Sequence, residues 1–173
     1  MNPPSLSPPL SGEDHVDGPE GAELELVMYG DFQCPYCAAA YPIVSRVRDR
    51  LSGRLLFAFR QFPLRDIHPD AQRAAEASEA AAAQGAFWPM HNRLYESRGA
   101  LSEPGLLGHA RELGLDVGRV AAELASGAHA DRVQRDVDSG LACGVTGTPA
   151  FFVNGRLHRG SFDAQSLTAA LEN

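Results

Sequence analysis

The chain has 173 residues, 44% of them hydrophobic and 21% charged, with a net charge of -7. That is long enough for one folded unit with a sizeable core, and the acidic balance excludes a broad nucleic-acid surface, whose phosphate contacts need a basic excess on one face. No stretch is apolar for long enough to be a transmembrane segment, and three cysteines, Cys34, Cys37 and Cys143, are too few for a secreted disulfide scaffold.

Residues 1–23 are rich in proline, serine and acids, which predicts a disordered or extended lead. They hold neither the basic nor the apolar region of a secretory signal, so the sequence as written points to the cytoplasm; an exported mature form would begin in the same way. Residues 24–29, LELVMY, are apolar on both faces but for one glutamate and predict a strand covered on both sides. From Pro35 to about residue 51, Ile43, Val44, Val47 and Leu51 recur at helical spacing, with arginines 46, 48, 50 and 54 assigned to a solvated face. RLLFAFRQF predicts a second buried strand over 54–60, and the three elements make a right-handed parallel crossover.

Between His68 and Gly144 the spacing predicts helix after helix. The first starts at Pro69 and stops at Gly85. In the second, Phe87, Trp88, Met90 and Leu94 are assigned to the core, and His68 to a capping position. The fifth, at 128–143, carries Val133, Val137 and Leu141 as its apolar stripe, with Cys143 falling off that stripe as a partly exposed small filler. AFFVNGRLHRG predicts a hairpin turning on Asn154-Gly155, and Asp163 caps a closing helix with Leu167, Ala170 and Leu171 inward. The expected organisation is a lead at 1–23, an α/β domain from 24–64 and 144–173, and a helical insertion at 65–143.

Cys34-Pro35-Tyr36-Cys37 can be half a zinc site or a redox pair. Zinc wants four ligands, and the six histidines show no metal spacing, so a redox pair is expected and no metal. If the helix begins at Pro35, Cys34 lies at its N-cap, where free backbone N–H groups and the helix dipole stabilise a thiolate and lower the thiol pKa. Cys34 is then an exposed nucleophile, and Cys37, one turn on, faces back to resolve a mixed disulfide. Thr148-Pro149 opens a strand expected beside the cysteine loop. A cis bond there would turn the Thr148 backbone outward to pair with an extended polypeptide; the alternative is an edge proline that protects the sheet.

With DFQCPYC, Pro42 five residues after Cys37, GVTGTP at 144–149, and HPDAQRAAEASEAA followed by FWPMHNRLYE between them, the chain resembles the DsbA-like branch of the thioredoxin-fold oxidoreductases from about residue 14 onward. The resemblance implies a thioredoxin-like α/β fold, strand-helix-strand and then strand-strand-helix, with an inserted all-helical block. It also implies disulfide exchange with protein or peptide thiols, Cys34 attacking and Cys37 resolving. Pro35 and Tyr36 would tune the pair, and Thr148 and Pro149 would bind substrate. No cofactor is implied beyond the dithiol itself, recycled by glutathione or a thioredoxin-system partner. The Pro-Tyr dipeptide sets an expected potential on the order of -200 mV. Many members of the branch carry a buried acid six residues before the first cysteine; here that position is Met28. Of the nearby acids, Glu25 and Asp31 are both expected to face solvent. Two competing functions share the fold: glutathione-dependent transfer or isomerisation of small molecules, whose enzymes generally use serine in place of the first cysteine, and non-catalytic holding of unfolded chains.

Overall fold

The computed structural model describes residues 1–97 and 99–173. Strands β1 (His15–Asp17), β2 (Leu24–Gly30), β3 (Leu55–Gln61), β4 (Ala150–Val153) and β5 (Arg156–Leu157) form one mixed sheet in the order β1-β3-β2-β4-β5. The two longest strands, apolar on both faces, lie adjacent and parallel, with Leu26 opposite Phe57 and Met28 opposite Phe59. Such a pair needs a crossover between its ends, and α1 (Pro35–Arg50) supplies it. On the other side of β2, β4 runs antiparallel and turns into β5 through Asn154 and Gly155, whose φ angles of 48° and 80° suit a type I′ hairpin. Helices α2 (Ala71–Ala82), α3 (Phe87–Glu96), α4 (Glu103–Glu112), α5 (Val117–Ser126) and α6 (Ala130–Ala142) intervene, and α7 (Ala164–Glu172) closes the chain with Asp163 accepting the Ser166 N–H at 2.9 Å. This is the thioredoxin-like α/β architecture with a helical insert.

The sheet divides the core in two. Leu24, Leu26 and Met28 of β2 face α1, α7 and the helical block; Val27 and Tyr29, one residue out of phase, face Leu6, Phe62, Cys143, Val145 and Phe152.

Four expectations are narrowed or corrected here. The lead is extended rather than disordered: β1 pairs antiparallel with β3, Ser5 bridges Arg156, and Leu6 is buried. Besides Leu6, what holds it is largely polar, which is why composition gave no sign of it. The buried Arg60 guanidinium meets the Asp14 carboxylate at 2.8 Å and the Pro8 carbonyl at 3.0 Å, partners that a buried cation requires. The stripe on α6 is rotated: Val133, Asp136 and Gly140 are buried, while Leu141 is exposed. This helix packs on the sheet, where Asp136 accepts the Gln61 N–H at 2.8 Å. Cys143 is also buried, with its sulfur 3.0 Å from the Ser7 nitrogen and 3.2 Å from the Ser7 carbonyl oxygen. Among the arginines assigned to solvent, Arg48 pairs with Asp17 and lies 5.3 Å over the Phe57 ring.

Candidate active site

The cysteine loop leaves the C-terminal end of β2 and enters α1 at Pro35, where the missing N–H of proline costs no helix bond. Cys34 is the N-cap (φ -70°, ψ 122°), and the Ala38 N–H donates to its carbonyl at 3.1 Å. Both cysteines are free thiols. Tyr36 stands out at 68% exposed between them, whereas Cys34 is 3% exposed and Cys37 fully buried. The expectation of an openly exposed nucleophile is thus corrected: Cys34 is reached through a groove of about 440 Å³ walled by Phe32, Pro42, Leu94, Tyr95 and Leu101. Three of those wall residues come from the helical block, which a local reading of the cysteine loop cannot supply.

The electrostatics separate the two thiols. Cys34 is lowered to about 5, first by the hydrogen bond it accepts from the Cys37 thiol, against the cost of burial, and then by Thr148 and the Cys37 and Tyr36 backbone N–H groups. Those N–H groups are the free donors of the helix start. Cys37 is pushed far above the ordinary thiol range by burial and next by its neighbour's charge. One thiol is a thiolate at neutral pH and the other keeps its proton.

The Thr148–Pro149 bond is cis, and Cys34 Sγ lies 3.6 Å from the Thr148 carbonyl oxygen, so GVTGTP meets the cysteine loop directly. The buried Thr148 hydroxyl acts on Cys34 and has no other hydrogen-bond partner among the described residues. Beyond it, residues 144–150 and 157–159 line a second depression of about 480 Å³.

Asp31 is the largest correction at the site. Expected to face solvent, it is 1% exposed. Its Oδ1 accepts the N–H groups of Gln33 (2.7 Å) and Cys34 (3.1 Å), and its Oδ2 accepts the Leu64 N–H (2.9 Å) with His68 Nδ1 at 2.7 Å. His68 therefore holds Asp31 rather than capping α2, whose N-cap is Asp70. Glu25 is half-buried on the opposite face of the sheet from Cys37, where desolvation raises its carboxyl against the opposing charge of Arg60. Met28 is buried among the residues that surround Cys37. Cys143 lies across the sheet from the dithiol.

A family model described as Thioredoxin matches residues 10–173. Among solved structures, the chain is similar to a thioredoxin-like oxidoreductase from Silicibacter pomeroyi, with 26% identity, a TM-score of 0.80 and 94% and 92% of the two chains covered. BdbD from Bacillus subtilis superposes with a TM-score of 0.82 at 21% identity over 99% and 97%, and the thiol-disulfide exchange protein alpha-DsbA2 from Wolbachia pipientis with 0.77 at 19% over 92% and 86%. Curated relatives include a Na(+)/H(+) antiporter, NhaA 1, of Salinispora arenicola, 47% identical over 158 residues, and NhaA of Herminiimonas arsenicoxydans, 47% identical over 168. The match covers 91% and 96% of this chain but 24% and 27% of those relatives.

Proposed function

The chain belongs to the thioredoxin family, and on that premise we propose that it is a DsbA-like thiol–disulfide oxidoreductase acting on protein or peptide thiols through Cys34 and Cys37. The observation that carries this reading is the split of the two thiols at one helix start, about 5 for Cys34 against a strongly raised Cys37. A thiolate next to a protonated resolving thiol suits two-step exchange. The Cys34 thiolate attacks one sulfur of a substrate disulfide, forms a mixed disulfide and expels the first substrate thiolate. Cys37 then loses its proton and attacks the Cys34 sulfur, closing the Cys34–Cys37 disulfide and expelling the second thiolate. With Cys34 already ionised, the dithiol releases one proton, from Cys37; the two leaving thiolates take up that proton and one more from solvent, and the reverse sequence oxidises a substrate dithiol.

The substrate class follows from the surface around Cys34. Two open depressions lie about this site, one with Cys34 in its mostly apolar wall and one lined by Thr148, Pro149 and their neighbours. That shape favours an extended chain laid across the sulfur over an enclosed small molecule. Glutathione or a thioredoxin-system partner restores the starting redox state. The compartment's poise sets the direction: reduction where the glutathione pool keeps the pair reduced, oxidation outside it. Ion exchange belongs to the names of the longer relatives, and no helix among the described residues is long and apolar enough to cross a membrane; dithiol chemistry is the activity proposed for the region shared with them. The test is reduction of insulin by dithiothreitol with the full chain. Acceleration that disappears in Cys34→Ser supports the reading; equal rates with and without the protein, or an undiminished Cys34→Ser, would overturn it.

A further inference from the structure

Resolution of the mixed disulfide requires a Cys37 thiolate inside the core, yet the residue β2 places nearby is the apolar Met28, 2% exposed. Among the described residues, the one polar side chain of the helical block in that wall is Tyr95, at the C-terminal end of α3. It is 4% exposed, and among the described residues its hydroxyl has no hydrogen-bond partner other than the Cys37 side chain that perturbs it. A buried hydroxyl so short of partners is a net cost relative to phenylalanine, which would fill the same space. The ring is fixed by stacking on Tyr41 (centroids 5.6 Å apart) and by contacts with Phe32 (5.0 Å) and His91 (5.2 Å). The hydroxyl reaches the backbone of Gly30: a Cβ there would sit 2.9 Å from the Tyr95 oxygen. The next residue, Asp31, offers its backbone to the Cys37 sulfur. Phenol and buried thiol therefore converge on the same two residues at the end of β2.

We infer that Tyr95 is the hydrogen-bond donor that receives the buried Cys37 thiolate, filling from the helical block a place that β2 leaves apolar. This rests on the dithiol exchange proposed above. In the oxidising direction a substrate thiolate attacks Cys34, the Cys34–Cys37 bond breaks, and the electron pair departs on the Cys37 sulfur, to which Tyr95 donates its O–H without releasing the proton. In the reducing direction Cys37 gives its proton to groove water, the Tyr95 hydrogen bond stabilises the thiolate formed, and that thiolate attacks the mixed disulfide. The substrate thiolate expelled takes its proton from solvent. The phenol is a donor and not a base, because burial raises it well above its ordinary range and, among neighbouring charges, that of Cys37 weighs most. Its other titratable neighbours do not compete. Burial lowers His91 to about 4, so it is neutral; burial raises Tyr41 to about 12; and the Asp31 carboxylate already faces four donors.

The experiment mixes the reduced full chain with oxidised glutathione and follows formation and decay of the Cys34–glutathione adduct by acid quench and mass. In Tyr95→Phe, adduct formation and thermal unfolding should be unchanged while resolution at pH 7 slows about tenfold and recovers as pH rises. Tyr41→Phe, which removes a hydroxyl bonded to Glu96 at 2.8 Å, should resolve at the wild-type rate. A second comparison does not depend on exchange: in a Cys34→Ser background, Tyr95→Phe should slow the reaction of Cys37 with methyl methanethiosulfonate at pH 9 about tenfold. A folded Tyr95→Phe with unchanged resolution, or unchanged Cys37 reactivity in the second comparison, overturns the inference. Failure of the wild type to form any adduct would instead overturn the dithiol reading, with the second comparison still deciding the role of Tyr95. Should Tyr95→Phe not fold, 3-fluorotyrosine at position 95, a stronger donor of the same shape, should speed resolution, and a slower or equal rate would reject the role.

Discussion

The Asp31 carboxylate accepts the backbone N–H of Cys34 at 3.1 Å, so the attacking cysteine is tied to a carboxylate that also holds the Leu64 N–H and the His68 ring. One buried side chain thus joins the cysteine loop to the segment that leaves β3. Its charge is tolerated because its oxygens are matched by donors from two loops.

Replacing Asp31 by alanine should therefore do more than remove a charge. The Gln33 and Leu64 N–H groups and one imidazole lose their acceptor and the Cys34 N–H keeps only the residue-31 carbonyl, at a cost on the order of 3 kcal/mol, a fall in Tm of roughly 6–12 °C. Asp31→Asn keeps an acceptor oxygen and should lose less. Thermal unfolding of the two variants checks this, and equal loss in both would show that the carboxylate's second oxygen is what matters.

The Cys37 thiol is the largest cause of the lowered Cys34, ahead of the helix-start N–H groups. In Cys37→Ala the Cys34 pKa should rise from about 5 by roughly one to two units, since a hydrogen bond to a charged group contributes about 1.5–3 kcal/mol. The measurement is the iodoacetamide rate against pH. The same shift fixes the sign of a stability profile. A thiol whose folded pKa is depressed stabilises the reduced fold above that pKa and loses the contribution as pH falls through it. Reduced protein should therefore gain Tm relative to its oxidised form as pH rises from about 5 toward the ordinary thiol range. A flat difference would contradict the assignment of the thiolate to Cys34.

What was legible in the sequence was local or periodic. CPYC at a helix start, the period of β2 and β3, the Asn154-Gly155 turn and the Asp163 cap depend on residues within one turn or one strand of each other. Asp31 was not legible, because its donors lie at 33, 34, 64 and 68 and only the fold gathers them. Tyr95 gave no signal either, since a tyrosine at the end of an aromatic helix looks like core until its hydroxyl is found, among the described residues, with no partner but the Cys37 side chain. The rotation of α6 has a similar origin. Asp136 is drawn inward by the Gln61 N–H and Arg132, and Gly140 lets Phe62 and Tyr29 approach, so the apolar Leu141 is turned out.

That rotation is testable with two neighbouring residues. A Cβ at Gly140 would stand 2.8 Å from Phe62 and 3.0 Å from Tyr29, so Gly140→Ala should destabilise by about 1–3 kcal/mol despite the better helix propensity of alanine. Leu141→Ser, at a position 59% exposed, should change stability by less than about 0.5 kcal/mol. Urea midpoints of the two variants decide between this packing and the Val133, Val137, Leu141 stripe, which predicts the reverse order.

Met28 pairs across β2 with Phe59 and Phe151 and packs in the cluster that encloses Cys37. No carboxyl on that face of the strand can take the Cys37 proton, and Glu25 points to the other face. A carboxyl placed at Met28 would be desolvated, its pKa would rise toward neutrality, and it would become a proton acceptor beside the resolving thiol. Met28→Glu should then speed decay of the Cys34–glutathione adduct at pH 7 and flatten its rise with pH. The buried acid should also lower stability by about 3 kcal/mol. Single-turnover decay and thermal unfolding of the same preparation separate the two effects. A folded variant with no acceleration would mean that proton loss does not limit resolution, leaving stabilisation of the Cys37 thiolate, rather than removal of its proton, as the step the core controls.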